Sequence, residues 1–129
     1  MPNSKQHQAK AQQNQEFLDS IDVARFASWT TVAAFYTAVH LVERLRAKRG
    51  RGTDDHSTDH HDRLEFVRRK ENRQIQPAYE VLFNASLLAR YETIESFNQA
   101  FTTEDIRDVL IAQYLKQIED YVATVFATP

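Results

Sequence analysis

The sequence predicts an all-α protein, an up-and-down bundle of four to five antiparallel helices, and three observations carry that prediction. The 129 residues hold two glycines, Gly50 and Gly52, and prolines at positions 2, 77 and 129. That is too few turn formers for the hairpins of a β-rich fold. The segment Trp29 to Leu45 is the most apolar in the chain and holds neither residue type. Its apolar side chains recur at helical spacing in two adjoining stripes: Trp29, Ala33, Tyr36 and His40, and beside them Val32, Phe35, Val39 and Val42. A helix apolar around most of its circumference has neighbours on more than one side. This is therefore the central helix, with Trp29 expected in the core and Trp29→Ala expected to cost roughly 3–5 kcal/mol.

The other elements follow in order. Residues 1–13 read as a polar, Gln-rich extension ahead of a single domain over 14–129. A first helix runs from about Lys5 to Asp19. Ser20 or Asp22 is the N-cap candidate for the central helix, which ends near Arg49 at the glycine pair. A polar loop over residues 50–57 leads to a third helix capped by Ser57, Thr58 or Asp59, with acids Asp59 and Asp62 at its positive end. His60, Leu64 and Val67 mark its apolar side, with Arg63 and His56 on an adjoining stripe. Pro77 suits the first turn of a fourth helix reaching about Tyr91, with a stripe of Tyr79, Leu82 or Phe83, Ser86, and Ala89 or Arg90. Residues 92–101 read as irregular. Thr102 or Thr103 with Glu104 and Asp105 starts the last helix, whose inner side is Ile106, Leu110, Tyr114, Ile118, Tyr121 or Val122, and Val125.

Composition narrows the function. Without cysteine there is no disulfide, thiolate zinc site or thiol nucleophile. The N-terminus lacks the apolar core of a signal peptide, and no apolar run is long enough to span a bilayer. A soluble, cytoplasmic protein without membrane association is expected. The net charge of −2 argues against a general nucleic-acid coat. Its distribution is uneven: ten of sixteen basic residues lie between Arg44 and Arg73, and seven acids follow Tyr91 against Arg107 and Lys116. A basic middle therefore faces an acidic C-terminal part. Arg44, Arg46, Lys48 and Arg49 also suit the negative end of the central helix.

The residues able to carry chemistry are few. His40 is the one polar group on its stripe, and His56 and His60 stand four apart. On one helix face, His56 and His60 with His40 from the neighbour would form a metal site, although no inward carboxylate offers a fourth ligand. Hydrogen-bonded structural histidines are the alternative. Arg63, three residues after His60, can join it in holding a phosphate or carboxylate. Ser86 and Arg90 stand four apart late in the fourth helix, where Arg90 can cap its own carbonyls or reach across the bundle. No nucleophile–His–acid spacing, phosphate-cradling glycine loop or dinucleotide fingerprint occurs, and no cofactor is expected.

The succession Tyr36-x-x-x-His40, His56-x-x-x-His60-x-x-Arg63 and Tyr79-x-x-Leu82-x-x-x-Ser86-x-x-Ala89-Arg90-Tyr91 resembles the small bacterial and archaeal branch of the HEPN domains, over about residues 14–125. The resemblance implies a HEPN-like bundle of four or five helices. It also implies a homodimer, a nucleotide or RNA as ligand, and a role in RNA processing, toxin–antitoxin or defence systems with a cognate antitoxin or partner protein. Many HEPN ribonucleases cleave RNA without metal through an R-x(4–6)-H motif. Here no histidine follows Arg90, and Arg51-x-x-x-x-His56 lies in the loop after the central helix. Under this resemblance the catalytic candidates are His40, His60 and Arg63, with Tyr36, Ser86 and Arg90 binding phosphate. A self-associating interaction module with structural histidines is the alternative, and a metal-dependent bundle using His40, His56 and His60 the third reading.

Overall fold

The computed structural model describes residues 3–49, 57 and 59–127. The described residues form six α-helices: α1 Ser4–Ser20, α2 Ala27–Arg49, α3 His60–Val67, α4 Gln76–Tyr91, α5 Ile94–Ala100 and α6 Lys116–Ala127. A 3₁₀ turn, Lys70–Asn72, lies between α3 and α4, and a π-helical segment, Asp105–Leu115, runs directly into α6. There is no strand among the described residues, as the sequence predicts.

The long helices alternate in direction around α2. His7 near the start of α1 meets His40, and Phe17 near its end lies beside Trp29. α4 starts near Arg68, which pairs with Glu80, and ends with Arg90 reaching back to Tyr36. The last helix returns along α2, so that Tyr121 meets Arg49 and Phe126 lies under Arg44 and Lys48. The buried core runs along this axis: Phe35, Val42 and Leu45 from α2, Tyr79 and Leu82 from α4, Leu110, Ile118 and Val122 from the last helix. α2 also buries Thr30, Thr31 and Thr37. Each hydroxyl donates to the carbonyl four residues back, so none of these three hydroxyls is stranded.

The helix ends follow local chemistry. Asn3 and Gln6 exchange side-chain and backbone hydrogen bonds in a capping box for α1. Asp59 caps α3 by accepting from the Asp62 N–H at 2.8 Å. Pro77 sits in the first turn of α4. Thr102 and Asp105 hold each other's backbone N–H at 2.9 and 3.0 Å, where the last helix was expected to start. Asp22 caps the turn leading into α2 by accepting from Arg25 N–H, several residues before the helix itself.

Four expectations are corrected. Trp29 is 67% exposed; α1 runs beside it without covering it. The region read as irregular holds α5, capped by Thr93; only Phe97 is buried there, too little for a periodic signal. The buried side of α3 is Arg63, Phe66 and Val67, with His60 and Leu64 half-buried. In the π-helical segment the buried residues are Ile106, Leu110 and Leu115, spaced four and then five apart. That wider turn carries Leu115 into the place an α-period assigns to Tyr114. The composition change at residue 13 falls inside α1, where His7 and Ala11 are both buried.

Candidate functional site

Tyr36, His40 and Glu43 stand at i, i+4 and i+7 on α2, which puts them on one face. α1 brings His7 and Lys10 to that face, α3 brings His60 and Arg63, and the end of α4 brings Ser86 and Arg90. The most deeply buried charged member is Glu43, only 1% exposed. Its Oε1 accepts from Arg63 Nε at 2.7 Å, and its Oε2 accepts from the Ser57 N–H at 3.0 Å. Burial pushes this carboxyl up, but the bonds from Ser57 and Arg63 outweigh it and hold Glu43 below the usual carboxylate range. Arg46 donates to Ser57 Oγ at 3.1 Å and pairs with Asp62 at 3.3 Å. Two ion pairs, one deep and one shallow, thus fix α3 against α2.

Arg63 Nη1 also lies 3.0 Å from His60 Nδ1. A guanidinium can only donate, so His60 Nδ1 accepts and its single ring proton sits on Nε2. Burial, then the charges of Arg63 and Arg90, push the His60 pKa down, with Asp59 opposing. His60 is therefore a neutral imidazole offering an N–H, packed among the rings of Phe35, Tyr36 and Phe83. A second proton would set N–H against N–H, which makes His60 a hydrogen-bond donor and a poor base. Near Arg63 the Tyr79 hydroxyl is fully buried, without a well-aligned hydrogen bond among the described residues. Burial pushes it up to about 12, with Arg63 pulling the other way.

His40 faces the α1 side. Its Nδ1 lies 3.1 Å from Nδ1 of His7, a residue 3% exposed. Burial, then His7, Lys10 and Arg63, lower the His40 pKa to about 4, against Glu43. Both imidazoles share one proton at the contact, so double protonation breaks it. The sign for stability follows: the unfolded chain takes a proton near 6.5 and the folded one only near 4. Stability should therefore fall as pH drops through that window, by about 1–2 kcal/mol after discounting for solvent screening. Urea midpoints at pH 7 and pH 5 check this. Wild type should lose stability and His40→Gln should lose clearly less over this range, the remainder belonging to His60, whose pKa is also lowered. Equal losses would remove His40 as the cause.

Arg90 differs from the other arginines around the site. Its contacts are long and neutral: Ser86 carbonyl at 3.3 Å, Ser86 Oγ at 3.4 Å and Tyr36 OH at 3.5 Å. No carboxylate pairs with it among the described residues. Arg46, Arg63 and Arg68 each hold an acid. The predicted set thus divides in two. Tyr36, His60, Arg63, Ser86 and Arg90 form a chain of neighbours, whereas His40 joins His7 toward α1 and reaches Arg63 only through its field. α3 begins at His60 behind the Asp59 cap; His56, expected four residues before it as a metal ligand, lies outside the described residues, as does Arg51. Among the described residues no three His, Cys, Asp or Glu are placed to hold a metal.

Sequence reasoning missed Glu43 and His7. The spacing Tyr36–His40–Glu43 was visible, but a carboxylate one turn beyond an apolar run looks like a helix-end charge. His7 is hidden in a glutamine tract, where nothing marks its side of the helix as buried. No protein-family model matches this chain, and neither a curated protein nor a solved structure resembles it significantly.

Proposed function

We propose that this domain binds the phosphate of a nucleotide or RNA at the Arg90–Tyr36–His60 cluster. The observation that supports it best is Arg90, a half-buried guanidinium without a counter-ion among the described residues, next to a phenol and a neutral imidazole N–H. All three donate, and an acceptor-only anion completes them. The HEPN resemblance makes RNA the ligand and cytoplasmic RNA processing, toxin–antitoxin or defence the setting. The reading is binding without cleavage. His60 is a donor, Glu43 is committed to Arg63 and Ser57, and His40 is held by His7, which leaves no free acid–base pair. Fluorescence anisotropy with a labelled single-stranded RNA tests it. Arg90→Gln should weaken binding roughly tenfold or more, since a charged hydrogen bond is worth about 1.5–3 kcal/mol. Unchanged affinity would reject the site, and a shortened RNA would reject the non-cleaving reading.

A second reading, a self-associating module, has its own support. Phe17, Phe26, Trp29, Tyr91 and Ile94 are exposed toward the end of the bundle where α2 begins.

A further inference from the structure

Trp29 stands between two depressions. On one side is a groove of about 420 Å³ between α1 and α2, lined by Lys10, Asn14, Phe17, Val32, Ala33 and Tyr36 among others. On the other is a smaller hollow of about 270 Å³ with Phe26 and Ile94. The groove exists because residue 33 is alanine: its stripe neighbours Trp29 and Tyr36 are large, and a methyl between them leaves an apolar slot open to solvent. Ile94 and Tyr91, beside this face, are 74% and 77% exposed. Large apolar groups clustered this way mark a surface that is covered in use.

The charge around the face selects the occupant. Lys10 and Arg25 line the depressions, and Arg90 touches Tyr36 at the groove's edge. Asp22 lies in the turn leading into α2, and Glu92 and Glu95 bracket Ile94, all three exposed. A polyanion laid here would meet those acids. A second copy turned by a two-fold axis meets both signs with both signs. A surface carrying a projecting indole and a slot for one is self-complementary, as an isologous contact requires.

We propose that a second copy of this chain seats on the Trp29 face, each copy placing its indole in the other's groove. This rests on the self-association reading; the groove adjoins the phosphate site and shares Tyr36 with it. Trp29 is the chain's one tryptophan, so its emission reports the contact directly. The experiment is a dilution series of the full chain, read by tryptophan emission and by sedimentation mass. The mass should double with concentration while the emission shifts to the blue. Trp29→Ser, and Ala33→Phe which fills the groove, should each raise the dimer dissociation constant at least about thirtyfold, as expected for a central aromatic anchor. Their far-UV circular dichroism should match wild type, because Trp29 is exposed and the half-buried Ala33 lines the open groove. A dimer that persists in both variants with unshifted wild-type emission would overturn the indole exchange and leave self-association standing. A monomer at every concentration would overturn both. Emission that moves only when an RNA oligonucleotide is added would give the face to nucleic acid and overturn the second copy as occupant.

Discussion

Glu43→Ala is expected to destabilise the fold by about 3–5 kcal/mol, because it leaves a buried guanidinium without its counter-charge. The Arg63 side chain is only 10% exposed and the Glu43 side chain 1%. Little water can replace the carboxylate, and the Ser57 N–H loses its acceptor as well. The loss should reach beyond stability. Arg63 orders His60 through Nδ1, so an unpaired Arg63 that shifts toward solvent also releases the His60 ring. The pair itself need not be a net stabiliser, since its desolvation offsets much of the attraction. The double variant Glu43→Leu with Arg63→Met should therefore recover most of the loss. Urea unfolding of the single and double variants separates these terms. A loss below about 1 kcal/mol for Glu43→Ala would mean that solvent screens the pair.

Phe35→Ala should cost a similar amount, about 3–5 kcal/mol, by opening a cavity at the centre of the bundle. Phe35 is fully buried, and its ring lies 5.3 Å from Tyr36, 5.6 Å from Phe83, 5.7 Å from Tyr79 and 5.8 Å from His60. These rings come from α2, α3 and α4, so the void would loosen the elements that hold the candidate site. Trp29→Ala, less than two turns away on the same helix, should change the stability of the monomer by only about 0.5 kcal/mol. A cost for Trp29 equal to that for Phe35 would contradict its exposure.

That contrast shows what a sequence pattern can and cannot carry. Periodicity placed α2, α4 and the last helix, because each repeats its apolar residues every three or four positions. Local signals placed the starts of α3, α4 and the last helix, because Asp59, Pro77 and Thr102 act within one turn. The cap expected for α2 lies several residues before that helix. Both stripes of α2 look alike in sequence, yet one faces the core and the other lies open beside α1. Which stripe is covered depends on where α1 crosses, and the chain outside α2 settles that. Glu43 was illegible for a related reason. A buried carboxylate is recognisable only with its partner, and Arg63 lies twenty residues further on, in another helix. The cluster of Tyr36, His60, Arg63 and Arg90 was legible as a set of residues. Its division, with His40 turned toward His7, was not.

The central claim is that His60 and Arg90 are donors awaiting an anion. Long-range ¹H–¹⁵N correlation of the imidazole rings at neutral pH, with and without a phosphate-bearing nucleotide, tests it most directly. The account predicts His60 as a neutral ring protonated on Nε2, with its Nε2–H and the Arg90 Nε–H signals moving together as ligand is added. A charged His60, a proton on Nδ1, or ligand-induced shifts that leave both residues unmoved would contradict it.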